Sequence, residues 1–249
     1  MFRYSSRFWL YAPITVFLLI AVAVMAHWKI AAGVFEKKLA RLKGRDAAPG
    51  LILDWDSVAV SGFPFRLDAG FTNFSVHGAA ARGPFAWKTR QFALHTLAYG
   101  PAKTVYEAAG PQHLEWTGAD GAHAADFLPA TLRGSSITDA RGLIRADIDV
   151  ADAGGAGFTA RRLQFHMRRD PDGKDLDLMV KVDALAAGAG PRDVQAYVTL
   201  SRASLLAPLL EGRAFWPDTA RAWAAAGGEP TISKGVDPDA AMRALSALY

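Results

Sequence analysis

The chain has 249 residues, 51% of them hydrophobic, with no cysteine and a formal net charge of +4. The hydrophobic fraction argues against disorder and allows one ordinary domain beside an anchor; the missing cysteines exclude a disulfide framework, a thiol nucleophile and every Cys-based metal site. The charge is uneven: residues 1–45 hold eight basic groups against the single acid Glu36, whereas the remainder holds 20 basic and 23 acidic groups, which gives no reason to expect a nucleic-acid surface.

After a short basic tail (residues 1–8, with Arg3 and Arg7), the run from Trp9 to Trp28 contains no Asp, Glu, Lys or Arg. At 1.5 Å per residue it is about long enough to cross ~30 Å of hydrocarbon as a helix. Trp9, Tyr11 and Trp28 stand at its ends, where amphipathic rings favour the headgroup zone. Pro13 is expected in the first turn, where a missing N–H costs least. The reading is a transmembrane signal-anchor. A cleaved secretory signal is the alternative, with Ala21-Val22-Ala23 as its A-x-A site.

Residues 29–43 are predicted to continue as a basic juxtamembrane helix. Ile30, Val34, Leu39 and Leu42 suggest its apolar stripe; Lys29, Lys37, Lys38, Arg41 and Lys43 are the candidate headgroup contacts. These cations conflict with export, since positive-inside counting places the bulk of the chain in the cytoplasm.

A break over 44–50 follows, and the period then changes from 3.6 to 2 for the β-rich domain, 51–249. Strands are expected at 51–60, 71–76 (Phe71, Asn73 and Ser75 alternating with Thr72, Phe74 and Val76), 85–99, 105–106, 114–116, 144–150 and 194–200. The clearest hairpin pairs 163–168 with 176–183 around Asp170-Pro171-Asp172-Gly173, where Pro sets φ and Gly takes φ > 0. Short helices are expected at 219–226, stopped by Gly227-Gly228, and from Asp237-Pro238 to about Leu248. The fold class is therefore α+β, mainly β: an N-terminal transmembrane helix, a large curved antiparallel sheet and C-terminal helices.

Residues 54–68 place Trp55 in a strand and then run Ser61-Gly62-Phe63-Pro64-Phe65-Arg66. With Gly83-Pro84-Phe85-Ala86-Trp87 and the later Ala222-Trp223 and Gly227-Gly228, this pattern resembles the alphaproteobacterial family called domain of unknown function 2125. The resemblance covers most of the chain, but only Gly62–Arg66 is at all specific. It implies a plan like that of AsmA-like envelope proteins: one inner-membrane helix and a periplasmic sheet-rich body. It brings no catalytic residues with it. It also implies further strands after Gly228, where this chain reads as a helix.

Within the motif, the plain reading is a bend that seats Phe63 and Phe65 in the core, because Pro cannot donate to a ladder. The functional reading is a lip where Arg66 meets a lipid phosphate or a carboxylate. Asp170, Asp172, Gly173, Asp175 and Asp177 could suggest calcium, but Lys181 stands where a bidentate Glu would be needed. The six histidines show no H-x-H or H-E-x-x-H spacing; only His113, His123 and Asp126 leave room for a spatial cluster. No cofactor, metal or catalytic group is expected.

The expectation is a non-enzymatic inner-membrane protein that holds or passes lipid in an apolar groove on the periplasmic side. Its partners would be membrane lipids. The alternative is an assembly factor that binds another envelope protein along a sheet edge.

Overall fold

A computed structural model describes residues 6–80, 83–100, 102–118, 121–155, 157–186, 190–214 and 216–234. The predicted helix from Asp237 lies outside the described residues.

One helix, α1 (Ser6–Leu42), runs unbroken through both predicted segments. It is long and apolar enough to cross a membrane. Pro13 lies inside α1 rather than in its first turn, a placement that transmembrane helices tolerate. Beyond Trp28, α1 buries Ala32 and Leu39 and packs Phe35 and Leu42 on the sheet, whereas Ile30 and Val34 are exposed. The expected apolar stripe is thus rotated: the residues that meet the sheet define the inner face.

The strands are β1 (Arg45–Ala48), β2 (Leu51–Asp54), β3 (Ser57–Ser61), β4 (Arg66–Ala80), β5 (Gly83–Leu97), β6 (Lys103–Gly118), β7 (Gly121–Leu128), β8 (Thr131–Asp139), β9 (Gly142–Gly155), β10 (Phe158–Arg169), β11 (Leu176–Leu185), β12 (Arg192–Leu200) and β13 (Pro230–Lys234). They form one antiparallel sheet in nearly sequential order. Two lanes are shared. β2 and β3 both pair with β4, and β7 and β8 both lie between β6 and β9. The first split divides the expected strand 51–60 at Trp55-Asp56: Trp55 turns into the core and the Asp56 amide donates to Thr72. The second falls at Pro129, which has no N–H to give.

β1 occupies part of the expected break, and β6 joins two expected short strands into one. β7 and β8 carry no strong alternation and have no counterpart among the expected strands, whereas β13 is a strand after Gly228 of the kind the family resemblance implies, where the local reading gave none. The 170–175 segment is the predicted hairpin turn, with Gly173 at φ 70 donating to the Asp170 carbonyl.

After β12 come a 3-10 turn (Ala203–Leu206), α2 (Ala207–Leu210) and α3 (Trp216–Ala225). They cover Met167, Leu176 and Leu200, with Trp223 1% exposed at the centre. α3 ends as a Schellman motif: Gly227 donates to Ala224 and Gly228 to Trp223. A Cβ at Gly228 would fall inside the Trp223 indole. A second core lies at the other end of the sheet, where Trp55, Ala69, Phe71 and Phe74 meet Leu39 of α1.

Strict alternation in 71–76 would put Phe71 and Phe74 on opposite faces. They share one, with ring centroids 5.4 Å apart, because Asn73 adopts φ 49 and flips the pleat. The Asn73 amide donates to Asp56 at 2.6 Å, which holds this uncommon backbone in place.

Candidate functional site

The strand registers align into rungs that cross the sheet from β4 to β12. One rung reads Phe71, Phe92, Ala108, Leu132, Val150, Leu163, Val182, Val194. The next reads Ala69, Leu94, Tyr106, Gly134, Ile148, Phe165, Val180, Ala196. Neither contains a charge. Alternation with period 2 puts every second residue of each strand on this face, and antiparallel register brings those residues level.

The opposite face is wet. Its rung through Gly70, Ala93, Glu107, Arg133, Asp149, Gln164, Lys181 and Gln195 carries ion pairs. Glu107 meets Arg133 at 3.2 Å and Asp149 meets Arg162 at 2.7 Å. The Arg162 guanidinium holds the Asp149 carboxyl below its ordinary range against the opposing effect of burial.

The apolar face is covered at both ends but open between. α1 packs at the β4 end, and the C-terminal helices pack at Met167 and Leu200. In the middle Ile148 is 41% exposed and Val180 38% exposed. Ala108, Val150 and Val182 are buried although they belong to neither helix-covered core. The result is a charge-free apolar strip eight strands wide, about 34 Å across at ~4.8 Å per strand.

The Gly62–Arg66 motif lies at the α1 end of the sheet. Gly62 has φ 102, and a Cβ there would meet the Arg66 carbonyl at 2.8 Å, so the turn requires glycine. The Arg66 amide closes it on the Gly62 carbonyl at 2.9 Å. Phe63 and Phe65 are 52% and 62% exposed; the expectation that they fill the core is corrected, because the tight turn projects both rings outward. Trp55, earlier in the motif, is buried. Arg66 meets a carboxylate of its own chain, Asp68, at 2.9 Å, and His95 bonds the same Asp68 oxygen at 2.8 Å. A hollow of about 420 Å³ beside them is bounded by Leu97, Lys103, Val105 and Glu107.

Of the anchor residues, Trp9 and Tyr11 are exposed near the start of α1. Trp28 stands about 28 Å further along the axis and touches the motif. Its indole N–H donates to the Arg66 carbonyl at 2.8 Å, and its ring meets Phe63 edge-on. Lys29 follows within one turn; Lys37, Lys38, Arg41 and Lys43 lie about 14–22 Å beyond Trp28. Lys43 donates to the Asp56 carbonyl. The contacts of His27 and Trp28 with Tyr99 and the motif join segments far apart in sequence, and no local signal could have found them.

His113 and Asp126 do meet, at 2.6 Å, and Glu115 joins at 2.8 Å. Hydrogen bonds to Asp126 and Glu115 raise the His113 pKa above its ordinary value. His123 stacks on Trp116 instead. Among the described residues no group of three or more His, Asp or Glu side chains is placed to hold a metal.

No curated protein and no solved structure matches the chain. The profile of the family described as an uncharacterized protein conserved in bacteria, DUF2125, matches residues 28–237, from the contact at Trp28 through the motif and the sheet, and the chain belongs to that family.

Proposed function

We propose that this is a non-enzymatic envelope protein, anchored in the inner membrane by α1, whose periplasmic sheet holds or passes lipid acyl chains along its apolar trough. The observation that carries the reading is the charge-free pair of rungs from β4 to β12, open at Ile148 and Val180. An apolar face this long in contact with water favours an apolar occupant. It also exceeds the ~15 Å depth of one leaflet. One end of the trough abuts α1, which would give lipid a short path from the bilayer. Lys29 would meet headgroups just past the hydrocarbon boundary. Export follows the envelope plan implied by the resemblance, against the count of cations after the helix.

The test is photo-crosslinking of the full chain in native membranes. Benzoylphenylalanine at Ile148 or Val180 is expected to capture phospholipid, and the same group at Gln164, on the charged face, is not. Crosslinks from the trough to protein alone would overturn the reading in favour of an assembly factor.

A further inference from the structure

Four large apolar side chains of the sheet gather where α1 leaves its charge-free run. Phe63 and Phe65 come from the β3–β4 turn, and Leu97 and Tyr99 from the end of β5 and the loop after it. Each is more than half exposed, at 52%, 62%, 52% and 53%. A soluble surface rarely clusters such side chains without a use. Ring contacts and hydrogen bonds fix the level of this cluster on α1. Tyr99 stacks on His27 with centroids 4.8 Å apart, Phe63 meets Trp28 at 5.6 Å, and the Trp28 indole bonds the Arg66 carbonyl. The Ala98 amide donates to the Phe65 carbonyl at 2.9 Å, tying the two loops into one lip.

Residues 27 and 28 are the last two of the charge-free run, which Lys29 ends. In a membrane-spanning α1 they sit at the boundary of hydrocarbon and headgroups, the depth where aromatic rings partition best. The lip is held at that depth. Its flanks carry Lys29, Arg66 and Lys103; Arg66 is shared with Asp68, whereas Lys103 has no ion-pair partner among the described residues. Aromatic tips edged by cations match an anionic bilayer surface.

We propose that Phe63, Phe65, Leu97 and Tyr99 form a second membrane contact, inserted into the interfacial layer of the bilayer that α1 crosses. The proposal rests on α1 spanning that bilayer and not on lipid occupying the trough. It makes the sheet a body fixed at two points, helix and lip, with a defined edge against the membrane.

The chain has no cysteine, so single-cysteine labelling needs no background removal. Full-length Phe65→Cys, carrying an environment-sensitive fluorophore, is reconstituted into phosphatidylcholine–phosphatidylglycerol vesicles that contain lipids with a nitroxide near the headgroup. Phe17→Cys in α1 and Gln164→Cys on the charged face are compared with it. The Phe65 label is expected to be quenched several-fold more than the Gln164 label, and Lys103→Gln to weaken that quenching in the anionic vesicles. A Phe65 label quenched no more than the Gln164 label, beside a lipid-accessible Phe17 label, overturns the lip alone. A blue-shifted Phe65 label that lipid does not quench overturns it in favour of a protein cover. A Phe17 label outside the lipid removes the membrane reading of α1 and the lip with it.

Discussion

The indole N–H of Trp28 donates to the backbone carbonyl of Arg66 across 38 residues of sequence, at 2.8 Å. It joins the end of the apolar run to the turn that distinguishes the family motif. The same carbonyl lies against Gly62, so helix, turn and strand β4 share one junction.

Trp28→Ala removes that bond and the edge contact with Phe63. An intramolecular hydrogen bond contributes about 0.5–1.5 kcal/mol net, and the lost ring contact adds to it. The Arg66 amide, which closes the turn on Gly62, is expected to exchange its proton about tenfold faster. Hydrogen exchange of the full chain in detergent reads this directly. Unchanged exchange at Arg66 would mean the turn is held without the helix.

Gln112 is fully buried and wholly satisfied. Its amide N–H groups reach Thr89 at 3.0 Å and the Gly110 carbonyl at 2.9 Å, and its oxygen accepts from the Trp87 indole at 3.1 Å. Gln112→Leu strands the indole N–H, at a cost of about 1–3 kcal/mol. Adding Trp87→Phe removes the stranded donor and is expected to recover part of the loss. Thermal melts of the two variants against the parent give the comparison; equal destabilisation would sink the network argument.

Gly228→Ala drives a methyl into the Trp223 ring at the centre of the core under the C-terminal helices. Overpacking of this kind costs about 1–3 kcal/mol. Gly70→Ala meets open space at an ordinary φ and is expected to be neutral or slightly stabilising. A melt in which the two substitutions behave alike contradicts the packing.

His113 is paired with Asp126 and Glu115 at the surface, and those bonds favour its protonated form. Its folded-state pKa is raised, so its contribution to stability is fully present below the ordinary histidine value near 6.5. That contribution is lost as pH rises through the folded-state pKa. NMR titration should place its midpoint above that of the Asp126→Asn variant, Asp126 being the largest cause. Coincident midpoints would show that the carboxylate does not act on it.

Local chemistry made much of this protein legible in advance. A charge-free run of helical length, a 3.6 period through Leu39 and Leu42, period-2 strands and a Pro-Asp-Gly turn each specify their own segment, because side-chain periodicity is a property of neighbours in sequence. The family motif likewise announced itself in Gly62–Arg66. Pairing partners were another matter. Whether Leu132 stands level with Ala108 and Val150 depends on registers summed over successive strands, and a one-residue slip in any of them would bring the charged face's residues into the apolar rungs. The flip at Asn73 needed Asp56, from the break between β2 and β3, to hold it. The meeting of Phe63 with Trp28 and of Phe65 with Tyr99 arises only when β4 and β5 close on α1. The sequence by itself determined the long apolar helix, most of the strands and their two-faced character. The tertiary structure alone decided which faces align into one charge-free strip and which rings gather around Trp28, since both depend on contacts between residues that no local pattern relates.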